Sequence, residues 1–287
     1  MTDTAANRAS RRRASRLDAS LVIGITMLGL ILLISILGPI LTDHTLAQVG
    51  AVSPRKPPGA KYFLGTDAQG RDMLTLLLLA TPNTLKMGLI AGVIGVGFGS
   101  VVGLIAGQFG GWIDAIISVI SDSLMTVPAI AILVIIAGNV SQMTTLIMAL
   151  VVASLSWMFT ARTVRAQVLT VKERGYVEVA RVNGQGPMEI LFREVMPNVA
   201  PYILASFVGT VSAAILATIG LEALGLGAQN ELTLGNTIYW AQQASAVLRG
   251  YWWWWAPPIV IIAIIFVGLF LTSVGFDRFA NPRLGRE

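Results

Sequence analysis

The feature that most restricts the fold of this chain is a series of long, nearly uninterrupted apolar blocks separated by polar segments. An apolar run of 18 or more residues is typical of a membrane-spanning helix. The 287 residues are 55% hydrophobic and 12% charged, whereas a soluble domain has about 25% charged residues. We therefore predict an all-α fold, a polytopic membrane helix bundle with about six transmembrane helices.

The apolar blocks divide the chain into four parts. A basic segment at 1–19 precedes the first span and an external loop at 20–82, a core follows at 83–276, and a short tail occupies 277–287. The first block is too long for the apolar region of a signal peptide, so we expect it to stay as an anchor. The predicted spans lie near 20–41, 84–108, 112–138, 143–160, 199–221 and 253–275.

Lys and Arg are distributed unevenly between the two faces of this predicted bundle. The N-terminal segment, the polar loop at 161–198 and the tail carry 14 of them, and the two long loops of the other face carry 5. Loops rich in Lys and Arg stay in the cytoplasm. We therefore expect both termini and the 161–198 loop to be cytoplasmic, and this bias explains the net charge of +5 without nucleic acid as a partner.

The second span is rich in glycine, and spacings of three and four place several glycines on one helix face. Small residues allow helices to approach closely in lipid. Two interpretations stay open at this point, namely packing within the chain and an interface for gating or dimerisation. The glycines concerned are Gly88, Gly92, Gly95, Gly97, Gly99, Gly103 and Gly107.

The 161–198 loop carries the most informative pattern. Asn183-Gly184 predicts the end of a short helix, and Gly186-Pro187 predicts the start of a second one, which Pro197 is expected to stop. Spacing places Met188, Leu191, Phe192 and Val195 on one apolar face of the second helix. Such a helix–turn–helix elbow is better suited to docking in a groove of another protein than to lying flat on lipid.

This loop resembles the EAA loop of ABC importer permeases, in which Glu-Ala-Ala is followed by Gly and later by a hydrophobic residue and Pro. The corresponding residues here are Glu178-Val179-Ala180, then Gly184, then Met196-Pro197, with Val179 in place of the first alanine. In that family the elbow is a coupling helix that sits in a cleft of the ATPase subunit.

Three further segments resemble the dipeptide/oligopeptide branch of the same family. One is an LGTDxxGRD signature, the second a Gly-rich segment that ends in Asp, and the third reads EALGLG, with Ala223 where Phe is usual. The tail departs from the pattern: it keeps Asp277, Pro282, Arg283 and Leu284 but has Asn281 before the proline, as in members that handle sugars or unusual solutes. The first two segments comprise Leu64, Gly65, Thr66, Asp67, Gly70, Arg71 and Asp72, and Gly103, Gly107, Gly110, Gly111 and Asp114.

The resemblance implies a permease subunit that forms half of a translocation path in the cytoplasmic membrane of a bacterium or archaeon. A second permease would supply the other half, two ATPase subunits would dock on the elbows, and an external binding protein would deliver peptides or related solutes such as oligosaccharides. ATP and Mg²⁺ would bind to the ATPase partners. The residues implied in coupling are Glu178, Ala180, Arg181, Gly184, Ile190, Leu191, Met196 and Pro197.

The sequence lacks the residues of several catalytic and metal sites. None of its four lysines follows a glycine or precedes Ser or Thr, as the lysine of a P-loop would. There is no cysteine and a single histidine, His44, which we expect to be solvated at the outer end of the first span. We therefore expect no metal site, no Ser-His nucleophile and no ATPase of its own.

Other features allow more than one interpretation. Asp122, about halfway along the predicted third span, would either bond across a helix interface or line the pathway or a gate. The run Trp252, Trp253, Trp254 and Trp255 favours an interfacial aromatic belt over a sugar-stacking platform. An ion-gradient-driven secondary transporter is the rival to an ATP-driven permease, and a non-transporting membrane scaffold is a third possibility.

Overall fold

The computed structural model describes residues 19–280 and places side chains from 19 to 276. This part of the chain forms α-helices joined by loops and contains no β-strand, which confirms the all-α prediction. The helices are α1 (Ala19–Leu41), α2 (Met73–Phe109), α3 (Gly111–Thr126), α4 (Ala129–Gly138), α5 (Thr145–Lys172), α6 (Gly175–Val182), α7 (Pro187–Ile190), α8 (Met196–Ala223), α9 (Leu234–Gln243) and α10 (Trp252–Ala280).

Five of the described helices are long and apolar enough to cross a membrane. They are α1, α2, α5, α10 and the continuous helix of α7 and α8, which are joined by a π-helical turn at Leu191–Val195. The predicted third span is not one straight helix, because α3 and α4 meet at an angle of 82°. Val127 and Pro128 both have extended backbone between them, and Pro128 restricts the residue before it to that region. The pair brings the number of crossings to six if it counts as one.

Two further boundaries differ from the prediction. The loop expected to reach residue 82 ends at Asp72, whose carboxylate accepts a hydrogen bond from Thr75 N and caps α2. Pro82 lies inside α2, where neighbouring groups of the membrane bundle compensate for the hydrogen bond that a proline removes. The fourth span also continues beyond residue 160, to Lys172.

Glycines of α2 bring neighbouring helices into close contact within the chain. A Cβ on Gly88 or Gly92 would clash with Ile215 or Val211 of α8. A Cβ would likewise clash with α5 at four further glycines, Gly95, Gly99, Gly103 and Gly107, whereas Gly97 faces open space. The structure thus confirms packing within the chain for six of the seven glycines and places α2 at the centre of the bundle. The chain turns between α2 and α3 at a pair of glycines, with φ of +64° at Gly110 and +57° at Gly111.

Candidate functional site

The predicted helix–turn–helix between the fourth and fifth spans is present, and we call residues 175–195 the elbow. Helix α6 ends with Asn183 as its C-cap, and Gly184 has a φ of +82°. Gln185 N donates to Ala180 O at 3.2 Å and closes the turn. Gly186 is extended and Pro187 begins α7, where a proline costs nothing because no intrahelical partner awaits its N–H. The turn prediction from these residues is confirmed.

The inner side of the elbow is anchored to the bundle. Val177 and Ala180 of α6 and Ile190, Leu191 and Val195 of the second arm are all buried. They form one apolar cluster with residues of α5 and α8, namely Val164, Val168, Val171 and Val199. Burial in such a cluster fixes the orientation of both arms. The elbow is therefore part of the packed structure and not a loose loop.

The prediction that the second arm has a single apolar face is wrong. Leu191 and Val195 are buried, but Met188 is 55% exposed and Phe192 is 61% exposed. Residues Leu191–Val195 form a π-helical turn, in which hydrogen bonds join residues five apart instead of four. This wider turn rotates neighbouring side chains out of the α-helical alignment. Phe192 consequently points away from the cluster that holds Leu191.

Pro197 was expected to stop the second arm, but the structure shows that it does not. The chain continues as a helix through Pro197 into α8. The proline is the second residue of the α-helical segment that restarts after the π-helical turn, a position at which its missing N–H is tolerated. The elbow and the fifth span therefore form one continuous element.

The outer side of the elbow presents apolar side chains that nothing in the described chain covers. Val179 and Val182 of α6 and Met188 and Phe192 of the second arm are exposed, and we call these four residues the elbow patch. Glu178 and Arg181 are exposed on the same short helix. Exposed apolar clusters with charged neighbours are typical of protein interaction sites.

The residues expected to carry coupling thus fall into two groups. Glu178, Arg181, Met196 and Pro197 are exposed, so their side chains are accessible to a partner. The side chains of Ala180, Ile190 and Leu191 are buried, and they hold the elbow on the bundle. Gly184 provides the turn between the arms.

Two residues that the sequence analysis did not single out join the end of α2 to the elbow and to the end of α5, just before the elbow. Gln108 Nε2 donates to Pro187 O at 2.7 Å, where the second arm begins. Lys172 Nζ donates to Gly107 O at 3.0 Å and to Gln108 O at 2.7 Å. A lysine near the C-terminal carbonyls of a helix is favourable. A lysine at this position predicts a contact with the carbonyls of a helix end, but the sequence does not show that they belong to a different helix.

Two ion pairs join α3 to α5 near the same end of the bundle. Asp114 binds Arg165 in a bidentate manner, with 2.6 Å between Arg165 Nη2 and Asp114 Oδ2. Asp122 pairs with Arg162 at 3.3 Å, and both side chains are more than half exposed. Asp122 thus bonds across a helix interface, which is compatible with both interpretations of this residue. Sequence analysis missed both arginines, which lie about 40 to 50 residues from their partners and have no local pattern.

The LGTDxxGRD signature lies at the opposite end of α2, in the loop at 42–72, and it is turned inward. Asp67 and Arg71 are buried and form an ion pair at 2.6 Å, and Asp67 Oδ1 also accepts from Gln69 N and Arg71 N. Thr66 Oγ1 accepts from Lys56 N and donates to Ser53 O, both at 2.8 Å. Gly65 and Gly70 have positive φ, and Leu64 packs against the core. The signature therefore builds a folded loop.

The segment after the fifth span contains a buried carboxylate. Glu222 is fully buried at the end of α8. A Cβ on Gly227 or Gly235 would collide with its side chain, so both glycines make room for it. The EALGLG pattern thus packs the end of α8 against the start of α9, whereas sequence reasoning used it only as a family signature.

The remaining predicted features are also placed by the structure. His44 is exposed and its Nε2 lies 2.7 Å from Pro39 O, as expected for a solvated histidine. Trp254 is buried in the core and Trp253 Nε1 donates to Thr66 O at 3.2 Å, whereas Trp252 is exposed. The Asp277 side chain, the basic segment before residue 19, and Asn281, Pro282, Arg283 and Leu284 lie outside the described residues.

Comparison with known proteins identifies the family that this chain matches. A model described as the inner membrane component of binding-protein-dependent transport systems matches residues 99–286. The chain is 34% identical over 185 residues to the oligopeptide transport system permease protein OppC of Mycobacterium tuberculosis, which covers 64% of each chain. It is 32% identical over 212 residues to the dipeptide transport system permease protein DppC of Alkalihalophilus pseudofirmus, covering 72% of this chain and 68% of that one.

A third relative is the glutathione transport system permease protein GsiD of Pectobacterium atrosepticum. The two are 34% identical over 173 residues, which covers 60% of this chain and 57% of GsiD. The matched region spans slightly less than two thirds of the length of the OppC relatives.

Proposed function

Because the chain belongs to the family of inner membrane components of binding-protein-dependent transport systems, we propose that it is the permease subunit of an ATP-driven ABC importer. It forms half of a translocation path for peptides, or for related solutes such as oligosaccharides. A second permease supplies the other half, and an external binding protein delivers the cargo. The termini and the elbow lie on the cytoplasmic side of the cytoplasmic membrane.

The observation that carries this proposal is the two-sided elbow. Its inner side is anchored to α5 and α8, and its outer side exposes the elbow patch. An amphipathic helix docks its apolar side chains in a groove of its partner, and here the partner is an ATPase subunit that holds ATP and Mg²⁺. Glu178 and Arg181 form the charged rim of the contact, and Gln108 and Lys172 pass its displacement to α2.

Asp122 and Arg162 have a place in the same proposal. An ion pair with both partners more than half exposed is costly against lipid. Exposure to a water-filled pathway removes that cost, so we assign the pair to the pathway on the elbow side, where it forms part of a gate.

The test is the substitution Gly184→Val, with Gly186→Val as a matched control. Gly184 has a φ of +82°, which a β-branched residue resists, whereas Gly186 has extended backbone that valine adopts readily. We expect Gly184→Val to insert into the membrane at a near-normal level and to lose cargo uptake and the ATPase response of the assembled complex. Gly186→Val should retain both.

Normal uptake by the Gly184→Val protein would contradict the coupling role. Uptake that survives ATP depletion but stops when the ion gradient collapses would contradict the ATP-driven mechanism itself.

A further inference from the structure

A groove of about 470 Å³ lies between α1 and α2, near the end of the bundle that carries the 42–72 loop. Its walls are branched apolar side chains, among them Leu32 and Ile36 of α1 and Leu85 and Leu89 of α2. Helix α1 has the smallest buried share of the five long helices, at 22% of its apolar window. The groove is therefore at the periphery of the chain.

Two opposite charges line the same groove and are not paired with each other. Lys86 forms no ion pair among the described residues, and Glu231 pairs with no cation there. Glu231 Oε1 accepts a hydrogen bond from Thr145 N at 3.2 Å, which leaves its other oxygen free. Charges beside apolar walls are unfavourable unless a partner compensates them.

Hydrogen bonds place both charges at one depth. Asn83 Nδ2 donates to Leu232 O at 2.9 Å, and Leu234 N donates to Thr84 Oγ1 at 3.0 Å. Glu231 contacts Thr145, the first residue of α5. The apolar run of α5 begins at this depth, and the start of such a run is where a span is expected to leave the headgroup region. Leu89 lies about 4.5 Å deeper than Lys86 along α2.

A third polar group lies in the groove wall. Ser35 is 7% exposed, and its hydroxyl has no hydrogen-bond partner among the described residues. A buried hydroxyl without a partner is unusual in a membrane helix, where it normally bonds to its own backbone. Ser35 therefore adds to the groove wall a polar group that has no partner in the described part of the chain.

We propose that this groove binds a phospholipid with an amine-bearing zwitterionic headgroup, the class that phosphatidylethanolamine represents. Lys86 binds the phosphate, Glu231 accepts hydrogen bonds from the ammonium group, and one acyl chain lies along Leu32 and Leu89. An anionic headgroup would leave the Glu231 carboxylate unpaired and repelled. The apolar walls and the peripheral position favour a lipid over a zwitterionic peptide.

The experiment measures lipid retention and does not depend on transport. The full chain, with any subunits that accompany it, is delipidated in neutral detergent. It is then titrated with equal amounts of phosphatidylethanolamine, phosphatidylcholine and phosphatidylglycerol of the same acyl composition, and bound lipids are counted by native mass spectrometry. We expect about tenfold preference for phosphatidylethanolamine, the range of one charge-assisted hydrogen bond.

Three variants and one control locate the site. Lys86→Gln and Glu231→Gln should each abolish the preference, and the amide of the second keeps an acceptor for Thr145 N. Ile36→Trp, which fills the groove without touching either charge, should reduce binding of the retained lipid. Lys61→Gln, a lysine outside the groove that contacts the Tyr62 ring, should leave the preference unchanged.

Several results would overturn the assignment. Equal retention of the three lipids would do so, as would a preference that survives both Lys86→Gln and Glu231→Gln. Displacement of the lipid by the free dipeptide alanyl-alanine would identify the groove as a cargo subsite instead. A Lys86→Gln protein that no longer folds would leave Ile36→Trp as the deciding variant.

Discussion

The 42–72 loop and the elbow both carry a family motif, and the two use their residues in opposite ways. The loop buries its charged residues, Asp67 and Arg71, and satisfies them within the chain. The elbow buries half of its apolar residues and exposes the other half, including Phe192. A buried motif reports on how the chain folds, whereas an exposed one reports on what it contacts. The two regions should therefore respond differently to substitution.

The largest effect on stability is expected in the loop. Asp67→Ala leaves the buried guanidinium of Arg71 without its partner, and removal of one member of a buried pair costs about 3–5 kcal/mol. We expect a clear drop in the thermal unfolding temperature of the detergent-solubilised protein. Asp43→Ala is the control, because Asp43 is exposed and its pKa is lowered mainly by local hydrogen bonds from Thr45. Equal unfolding temperatures for the two variants would break the comparison.

Two adjacent residues of the elbow, one buried and one exposed, test the same distinction within one turn of helix. Leu191→Ala removes a buried side chain and should cost about 2–5 kcal/mol of stability. Phe192→Ala removes an exposed one and should leave the unfolding temperature almost unchanged while it lowers the ATPase response of the assembled complex. Unfolding in detergent and ATPase rate are measured on both variants. The division of the elbow is contradicted if Phe192→Ala destabilises the chain as much as Leu191→Ala.

The smallest effect is expected from the ion pair of Glu189 and Arg193. The pair has an N–O distance of 2.6 Å, but both side chains are exposed at one helical turn of separation. Such pairs contribute less than about 1 kcal/mol. Glu189→Gln should therefore leave the unfolding temperature within experimental error of the wild type. A large loss would mean that ion pairs of the elbow act like those of the 42–72 loop.

The sequence predicted those parts of the site that depend on neighbouring residues. The turn at Gly184 and the start at Pro187 follow from backbone preferences that act within a few positions. The start of α2 was predicted too late along the chain, although Asp72 is a residue type that commonly caps a helix. Local rules predict well where tertiary contacts do not override them.

The rest of the site depends on contacts between distant residues. Arg165 is 51 residues from Asp114, and Gln108 is 79 residues from Pro187. No periodicity in one sequence pairs such residues. The exposure of Met188 and Phe192 depends on a π-helical turn, whose wider register does not follow from the apolar pattern. The anchoring of the elbow and the division of its faces therefore required the structure.

Helix α2 gives the molecule a mechanical property that neither end reveals alone. It runs for 37 residues without a break in the helix, from its cap in the 42–72 loop to its bonds with the elbow. At about 1.5 Å per residue it is a rod about 55 Å long. A tilt of about 5° about one end of such a rod moves the other end by about 5 Å. The stiffness of one helix is thus enough to turn a small rotation on one side of the membrane into a displacement of atomic-contact size on the other.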